Sequence, residues 1–267
     1  MESRFITYRH SRIHYLEFGT GTSYLFCFHG YGEDASSFRF LESALGHEFT
    51  LLAIDFPYHG QTEWNELRDF SPADLCAIIN SIVPLELQTV SLIGYSMGGR
   101  IALSMIPELG KRLERVVLVA PDGLHRNFWY WLSTQTGAGN SLFRYTMEHP
   151  RWFFGGMTFL RSLGLLNKSI FRFAHSYLDN RNERMMLYQR WTCLRRFRPD
   201  QRAITRILKR YQVPLRMLFG SYDRIILSQR STSLDRKNDT IIVRTIRAGH
   251  QLLKPKYARD IAGLFYE

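Results

Sequence analysis

The chain predicts an α/β protein, a mostly parallel sheet flanked by helices, with one helical segment inserted into it. Three observations predict this. Short apolar runs rich in β-formers recur along the chain (YLFCF at 24–28, TLLAI at 50–54, TVSLI at 89–93, RVVLVA at 115–120), as strands buried on both faces of a parallel sheet require. Helix-like stretches fall between them, and strand–helix alternation favours parallel pairing through right-handed crossovers. The stretch from Pro121 to Gln212 breaks this rhythm in both pattern and charge. The expected division is therefore a sheet-bearing core over 1–120 and 213–267 and a helical cap over 121–212, lying across the strand ends.

Each element has its own grounds. Arg4–Tyr8 and Arg12–Phe18 alternate apolar and polar residues and read as a hairpin at a sheet edge. Ser36–Leu45 is a helical candidate before the strand at Thr50. Ser71-Pro72-Ala73-Asp74 opens the next helix: Ser71 suits the N-cap, Pro72 the first helical position, and Asp74 the positive end of the helix dipole. Met97–Ile106 is a third helix, apolar nearly all round. Within the inserted segment Arg181–Phe197 and Gln201–Tyr211 look helical. Leu215–Phe219 and Thr240–Ile246 resume the strand pattern, and Pro255 opens a final helix.

The 267 residues are 45% apolar, which suits a globular protein with a substantial core. No long apolar h-region follows Met1, so no secretory signal is expected. No run approaches the roughly 18 apolar residues of a membrane span. Cys27, Cys76 and Cys193 are odd in number and widely spaced, which fits neither a disulfide framework nor a zinc knuckle. They read as small core residues in a reducing cytoplasm.

The net charge is +11. Residues 121–212 hold 16 Lys+Arg against 5 Asp+Glu, so that segment carries all of the excess, and it also holds four of the five tryptophans (Trp129, Trp131, Trp152, Trp191). Solubilising surface arginines explain this charge most simply. An anionic membrane is the lesser alternative. Nucleic acid is not expected, because no basic RNP-like or helix-turn-helix signature is present. The expected partner is a small-molecule substrate, anionic if the charge serves it. Oligomeric state is not legible.

Gly94-Tyr95-Ser96-Met97-Gly98 matches G-x-S-x-G between an expected strand and an expected helix, the context that gives this motif meaning. The turn is so sharp that the serine is held strained with its hydroxyl exposed. Larger side chains two residues away on either side would collide, so glycine occupies both places. A serine hydroxyl needs a base to take its proton and a group to orient that base. Asp223 follows one expected strand in Gly220-Ser221-Tyr222-Asp223, and His250 follows the last in Ala248-Gly249-His250. Asp122, after the strand at 115–120, is the alternative acid, with Asp223 preferred.

The order Ser…Asp…His, with an insertion before the acid, resembles the α/β-hydrolase superfamily over nearly the whole chain. Phe28-His29-Gly30-Tyr31-Gly32 is similar to that family's His-Gly loop. The resemblance implies that the backbone N–H groups of Tyr31 and Met97 form the oxyanion hole, and that His29 is structural. Asp55-Phe56-Pro57-Tyr58-His59-Gly60-Gln61-Thr62 resembles the family's D-x-P-G-H-G-x-S loop, with Tyr58 for a glycine and Thr62 for the serine. It reads as structural, so Asp55 and His59 are not catalytic candidates. His10, His14, His47, His125, His149 and His175 have no motif context and read as surface or core residues. Relatives with an aspartate nucleophile are disfavoured, since position 96 is serine.

Arg100 stands out in the apolar helix, one turn past Ser96. A buried guanidinium needs a carboxylate partner or a wet pocket. Two readings stay open: a salt bridge to a neighbouring element, or an anion contact beside the nucleophile. The stretch Gly-Tyr-Ser-Met-Gly-Gly-Arg is similar to that of the SHCHC synthases of menaquinone biosynthesis, which eliminate pyruvate from a polyanionic substrate on this fold. By that resemblance Tyr95 and Arg100 line the substrate site.

The leading expectation is a serine hydrolase of the carboxylesterase type that cleaves a carboxylic ester or thioester through Ser96, His250 and Asp223, with no metal or organic cofactor. A carbon–carbon lyase or hydrolase of the pyruvate-eliminating type is the alternative. A binding protein without turnover is a third class, disfavoured because a receptor needs no general base.

Overall fold

A computed structural model describes all residues except 84–87, 126, 163–177, 228–233 and 235–237; His175 lies outside the described residues. Eight strands form one sheet in the order β1-β2-β4-β3-β5-β6-β7-β8. β1 (Glu2–Tyr8) and β2 (Ser11–Phe18) pair antiparallel at one edge, and β2 pairs antiparallel with β4 (Phe49–Ile54). From β4 onward, through β3 (Ser23–Phe28), β5 (Val90–Tyr95), β6 (Leu113–Val119), β7 (Leu215–Gly220) and β8 (Ile241–Ile246), every pairing is parallel. This is the expected edge hairpin on a mostly parallel sheet. The stretches Leu25–Phe28, Leu51–Ile54 and Val116–Val119 are buried at every residue, which explains their unbroken apolar runs.

The helices follow the expected stretches with small differences. The stretch at 36–45 is mostly 3-10 (Ala35–Leu41), closed by one α-turn, α1 (Glu42–Leu45). In α2 (Pro72–Ile82), Ser71 and Asp74 form a reciprocal capping box. α3 (Met97–Leu109) is buried on nearly every side and runs three residues further than its apolar pattern suggests, with Pro107 inside its last turn. The C-terminal helix opens as a 3-10 turn at Pro255–Tyr257 and continues as α9 (Ala258–Gly263).

The chain divides into two compact units, Met1–His125 with Arg196–Glu267, and Arg126–Arg195. The division is narrower than the expected 121–212. The physical reason is the helix α8 (Gln201–Tyr211), which buries Ile204 and Leu208 and packs against α3, so it belongs with the sheet. The charge divides accordingly: residues 126–195 hold ten Lys+Arg and three Asp+Glu, and the other excess arginines lie on or near α8.

The smaller unit comprises α4 (Phe128–Gln135), α5 (Gly137–Glu148), α6 (Arg151–Ser162) and α7 (Arg181–Cys193). Polar ties hold α4, α5 and α7 together. Asn140 Nδ2 donates to the Ser133 carbonyl at 2.9 Å and to Thr192 Oγ1 at 3.0 Å, and Arg184 Nε donates to the Met147 carbonyl at 2.9 Å. Trp191 packs on Tyr130 and Phe143, so part of the aromatic excess is the interior of this unit. Trp129 and Trp152 are exposed. Cys27 and Cys193 are buried, Cys76 is half-buried, and none of the three is in a disulfide. Among the described residues no helix is long and apolar enough to cross a membrane.

Candidate active site

The parallel strands end in register: Phe28 pairs with Gly94, Tyr95 with Val119, and Val119 with Leu218. Loops leaving these ends therefore meet at one edge of the sheet, where open α/β sheets place their sites.

Ser96 sits between β5 and α3 at φ 49°, ψ −113°, a region that costs a non-glycine residue on the order of 1–3 kcal/mol. The strain is held in place by hydrogen bonds. The Ser96 N–H donates to the Val119 carbonyl at 3.0 Å, and the Ser96 carbonyl accepts from the N–H groups of Gly99 (2.9 Å), Arg100 (3.3 Å) and Asp122 (2.9 Å). A Cβ on Gly94 would overlap the Gly98 backbone, and one on Gly98 would overlap the Phe28 and His29 carbonyls. The two glycines of the motif thus let the elbow close and let the loop after β3 lie directly against it.

Ser96 Oγ is 3.0 Å from His250 Nε2, and His250 Nδ1 is 2.8 Å from Asp223 Oδ2. A carboxylate at Nδ1 fixes the tautomer whose free Nε2 accepts the serine proton. Asp223 is buried, and its Oδ1 accepts the N–H groups of Ile225 at 2.8 Å and Ile226 at 2.9 Å. The strands β7 and β8 bring acid and base together: Gly220 has no side chain to hold off the carbonyls of Ala248 and Gly249, and the Tyr222 N–H bonds the Ala248 carbonyl at 2.9 Å. A chain of this kind can deprotonate a hydroxyl and stabilise the imidazolium that results.

The alternative acid points elsewhere. Asp122 Oδ2 lies 3.5 Å from Arg100 Nη1, so the buried arginine has a carboxylate neighbour, the first of the two readings left open. Its stem packs over Gly123. Tyr95 is buried; its hydroxyl donates to the His250 carbonyl at 3.2 Å and its ring lies 5.6 Å from the imidazole. Tyr95 therefore supports the histidine loop. Burial pushes its phenol well above the ordinary range.

The loop after β3 carries Tyr31. His29 Nδ1 donates to the Gly30 carbonyl at 2.8 Å while its Nε2 accepts the Phe56 N–H at 3.3 Å, the structural role expected of it. In the loop from Asp55 to Thr62, Asp55 and His59 are both buried. Tyr58, standing where the resembling family has glycine, adopts φ 63°, so this departure from the pattern costs backbone strain of about 1 kcal/mol or more.

Glu33 has no counterpart in the sequence-based expectations. Its Oε2 accepts the Gly30 N–H at 3.2 Å, and its own N–H turns back to the Gly30 carbonyl at 3.3 Å. It buttresses the loop on the side of Tyr95 and His250. Burial raises its carboxyl above the usual range, against the Gly30 N–H and the charges of His250 and Lys254, which lower it; Asp34 adds to the rise. An acid three residues beyond Gly30 is the only signal the sequence offers, and a surface turn would show the same.

The alpha/beta hydrolase family model matches residues 25–254, most of the chain. The chain belongs to the alpha/beta hydrolase family. This alpha/beta hydrolase is 32% identical over 95 residues to a putative esterase/lipase 2 of Mycoplasma pneumoniae, 35% of each chain. It is 34% identical over 94 residues to a putative 2-succinyl-6-hydroxy-2,4-cyclohexadiene-1-carboxylate synthase of Bacillus subtilis, 34% of each. The chain aligns with only about a third of the length of the curated relatives it matches. Among solved structures, the bromoperoxidase of Bacillus anthracis superposes with TM-score 0.66 at 18% identity over 100% of both chains, a likeness of fold.

Three variants test this geometry. Asp223→Asn is expected to lower kcat by about 10^4, because the histidine loses the partner that fixes its tautomer. Asp122→Asn is expected to leave kcat within about threefold; steady-state kinetics showing the reverse order would assign the acid to Asp122. Glu33→Gln keeps an acceptor for the Gly30 N–H but removes a negative charge that favours protonated His250. The acid limb of kcat/KM should then move to lower pH. An unmoved limb would show that the charge of Glu33 is not felt at the histidine.

Proposed function

We propose that this alpha/beta hydrolase is a serine hydrolase acting on a carboxylic ester or thioester. The observation that carries the reading is the continuous hydrogen-bonded chain from Ser96 Oγ through His250 to the buried Asp223, on a serine held in a strained, outward-facing turn. Ser96 Oγ attacks the acyl carbon while its proton passes to His250 Nε2. The oxyanion is received by the N–H groups of Tyr31 and Met97, the latter the first residue of α3, where helix N–H groups are free of intrahelical partners. His250 then protonates the departing alcohol or thiol, leaving an acyl ester on Ser96. Water, deprotonated by the same imidazole, releases the acid and restores the serine. Likeness to an esterase/lipase supports this substrate class.

A second reading draws on a specific likeness, that to the cyclohexadiene-carboxylate synthase: the Ser–His pair would abstract a proton and expel pyruvate from a polyanionic substrate. The Arg100–Asp122 contact weighs against it, because a guanidinium engaged by a carboxylate is less available to a second anion.

The test is an assay of acetyl, butyryl and octanoyl aryl esters and thioesters with wild type and Ser96→Ala. Turnover of at least one ester is expected, with Ser96→Ala reducing kcat by a factor of about 10^4 or more. Undiminished turnover in the alanine variant removes Ser96 from the mechanism. An inert ester panel together with pyruvate release from the polyanionic menaquinone precursor would favour the second reading.

A further inference from the structure

A second Ser–His–Asp chain lies on the edge hairpin, built from residues that no motif marks. Ser3 Oγ is 2.9 Å from His14 Nε2, and His14 Nδ1 is 2.7 Å from Asp55 Oδ2. The atoms are those of the Ser96 chain, and each distance is 0.1 Å shorter than its counterpart there. Ser3 belongs to β1, separated from β5 by β2, β4 and β3 in the sheet, so the two chains are independent.

The second chain is as firmly built as the first. Asp55 Oδ1 accepts the Ala35 N–H at 2.6 Å, and Oδ2 accepts the Gln61 N–H at 2.8 Å as well as His14 Nδ1. His14 is pinned through its backbone: its N–H donates to Thr62 Oγ1 at 3.0 Å, and its carbonyl accepts the Asp55 N–H at 3.0 Å. Thr62 Oγ1 in turn donates to the Asp55 carbonyl at 2.7 Å. His14 and Asp55 are each only 2% exposed, while Ser3 is exposed. The Phe5 ring covers the imidazole at 4.9 Å. Since the carboxylate takes the Nδ1 proton, the neutral ring turns its Nε2 lone pair to the Ser3 hydroxyl. Tying the hairpin to the Asp55 loop requires only the His14–Asp55 bond. The further contact gives a solvent-facing hydroxyl a dry, oriented base, which an exposed serine ordinarily lacks.

We propose that Ser3 is a second acylation site of this protein, taking acyl groups from activated donors such as aryl esters. Ser3 Oγ bonds to the acyl carbon and the bond from that carbon to the aryl oxygen breaks. The hydroxyl proton passes to His14 Nε2 and from there to the departing phenolate, so the products are an ester on Ser3 and a phenol. Ser3 lies within a strand, not at a strand–helix turn, so it has no helix-start N–H like that of Met97 beside it. Acylation is therefore stoichiometric, followed by slow release.

The test uses the full chain carrying Ser96→Ala, exposed to p-nitrophenyl acetate between pH 5 and 9 and mapped by fragment-ion mass spectrometry. Esters are distinguished from acetylated amines by their loss on treatment with neutral hydroxylamine. Ser3 is expected to acetylate at least tenfold faster than the exposed Ser43 and Ser81, with a rate that reaches a plateau instead of climbing with hydroxide. His14→Gln should remove that advantage. Equal rates at Ser3, Ser43 and Ser81 in the folded Ser96→Ala protein would overturn the proposal without recourse to any His14 variant. So would a Ser3 rate that climbs with hydroxide and shows no plateau.

Discussion

The backbone of Ser96 is the constraint on which the rest of the site depends. A serine at φ 49° is unfavourable by itself and persists only because its surroundings over-determine it. Those surroundings are distributed through the fold. β6 supplies the carbonyl that takes the Ser96 N–H; α3 and the turn after β6 supply three N–H groups to its carbonyl; β3 supplies the backbone against which Gly98 closes. The central strands are thus arranged around one residue whose hydroxyl points out of the strand–helix turn.

The same register explains why acid and base come from distant parts of the chain and still meet. β5, β7 and β8 are parallel, so their ends share one edge. Asp223 is fixed by two N–H groups of its own loop, His250 by Asp223 and by the carbonyl contact from Tyr95. Only the serine end of this chain varies its partner during the proposed reaction. The glutamate at 33 adds a second negative charge felt at the histidine, and its burial means that it loses its proton less readily than an ordinary carboxyl.

Most of the sheet was legible in the sequence because strands buried on both faces leave unbroken apolar runs, and the elbow was legible because its glycines answer a steric demand. The limits of legibility are equally physical. The helix at 201–211 is amphipathic and basic, and nothing in that pattern says that it packs on α3 instead of joining the preceding helices. Arg100 offered two readings that only the position of Asp122 could weigh. Glu33 has the sequence signature of any acidic turn residue. His14 lacked a motif because its partners, Ser3 and Asp55, lie 11 and 41 residues away and meet it only through the pairing of β1, β2 and β4. Tyr58 could be recognised as a departure from a pattern, but its left-handed conformation follows only from the loop's closure around Asp55.

The central claim is that the strained turn presents Ser96 Oγ to an acyl carbon whose oxygen falls between the N–H groups of Tyr31 and Met97. The most direct measurement is a crystal structure of the protein after reaction with a p-nitrophenyl alkylphosphonate, which mimics the tetrahedral intermediate. The account predicts phosphorus bonded to Ser96 Oγ, one phosphoryl oxygen at about 2.7–3.1 Å from both backbone nitrogens, and Ser96 still at positive φ. A Ser96 adduct whose oxygens all face solvent, or a Ser96 relaxed to negative φ with the loop after β3 withdrawn, would contradict it.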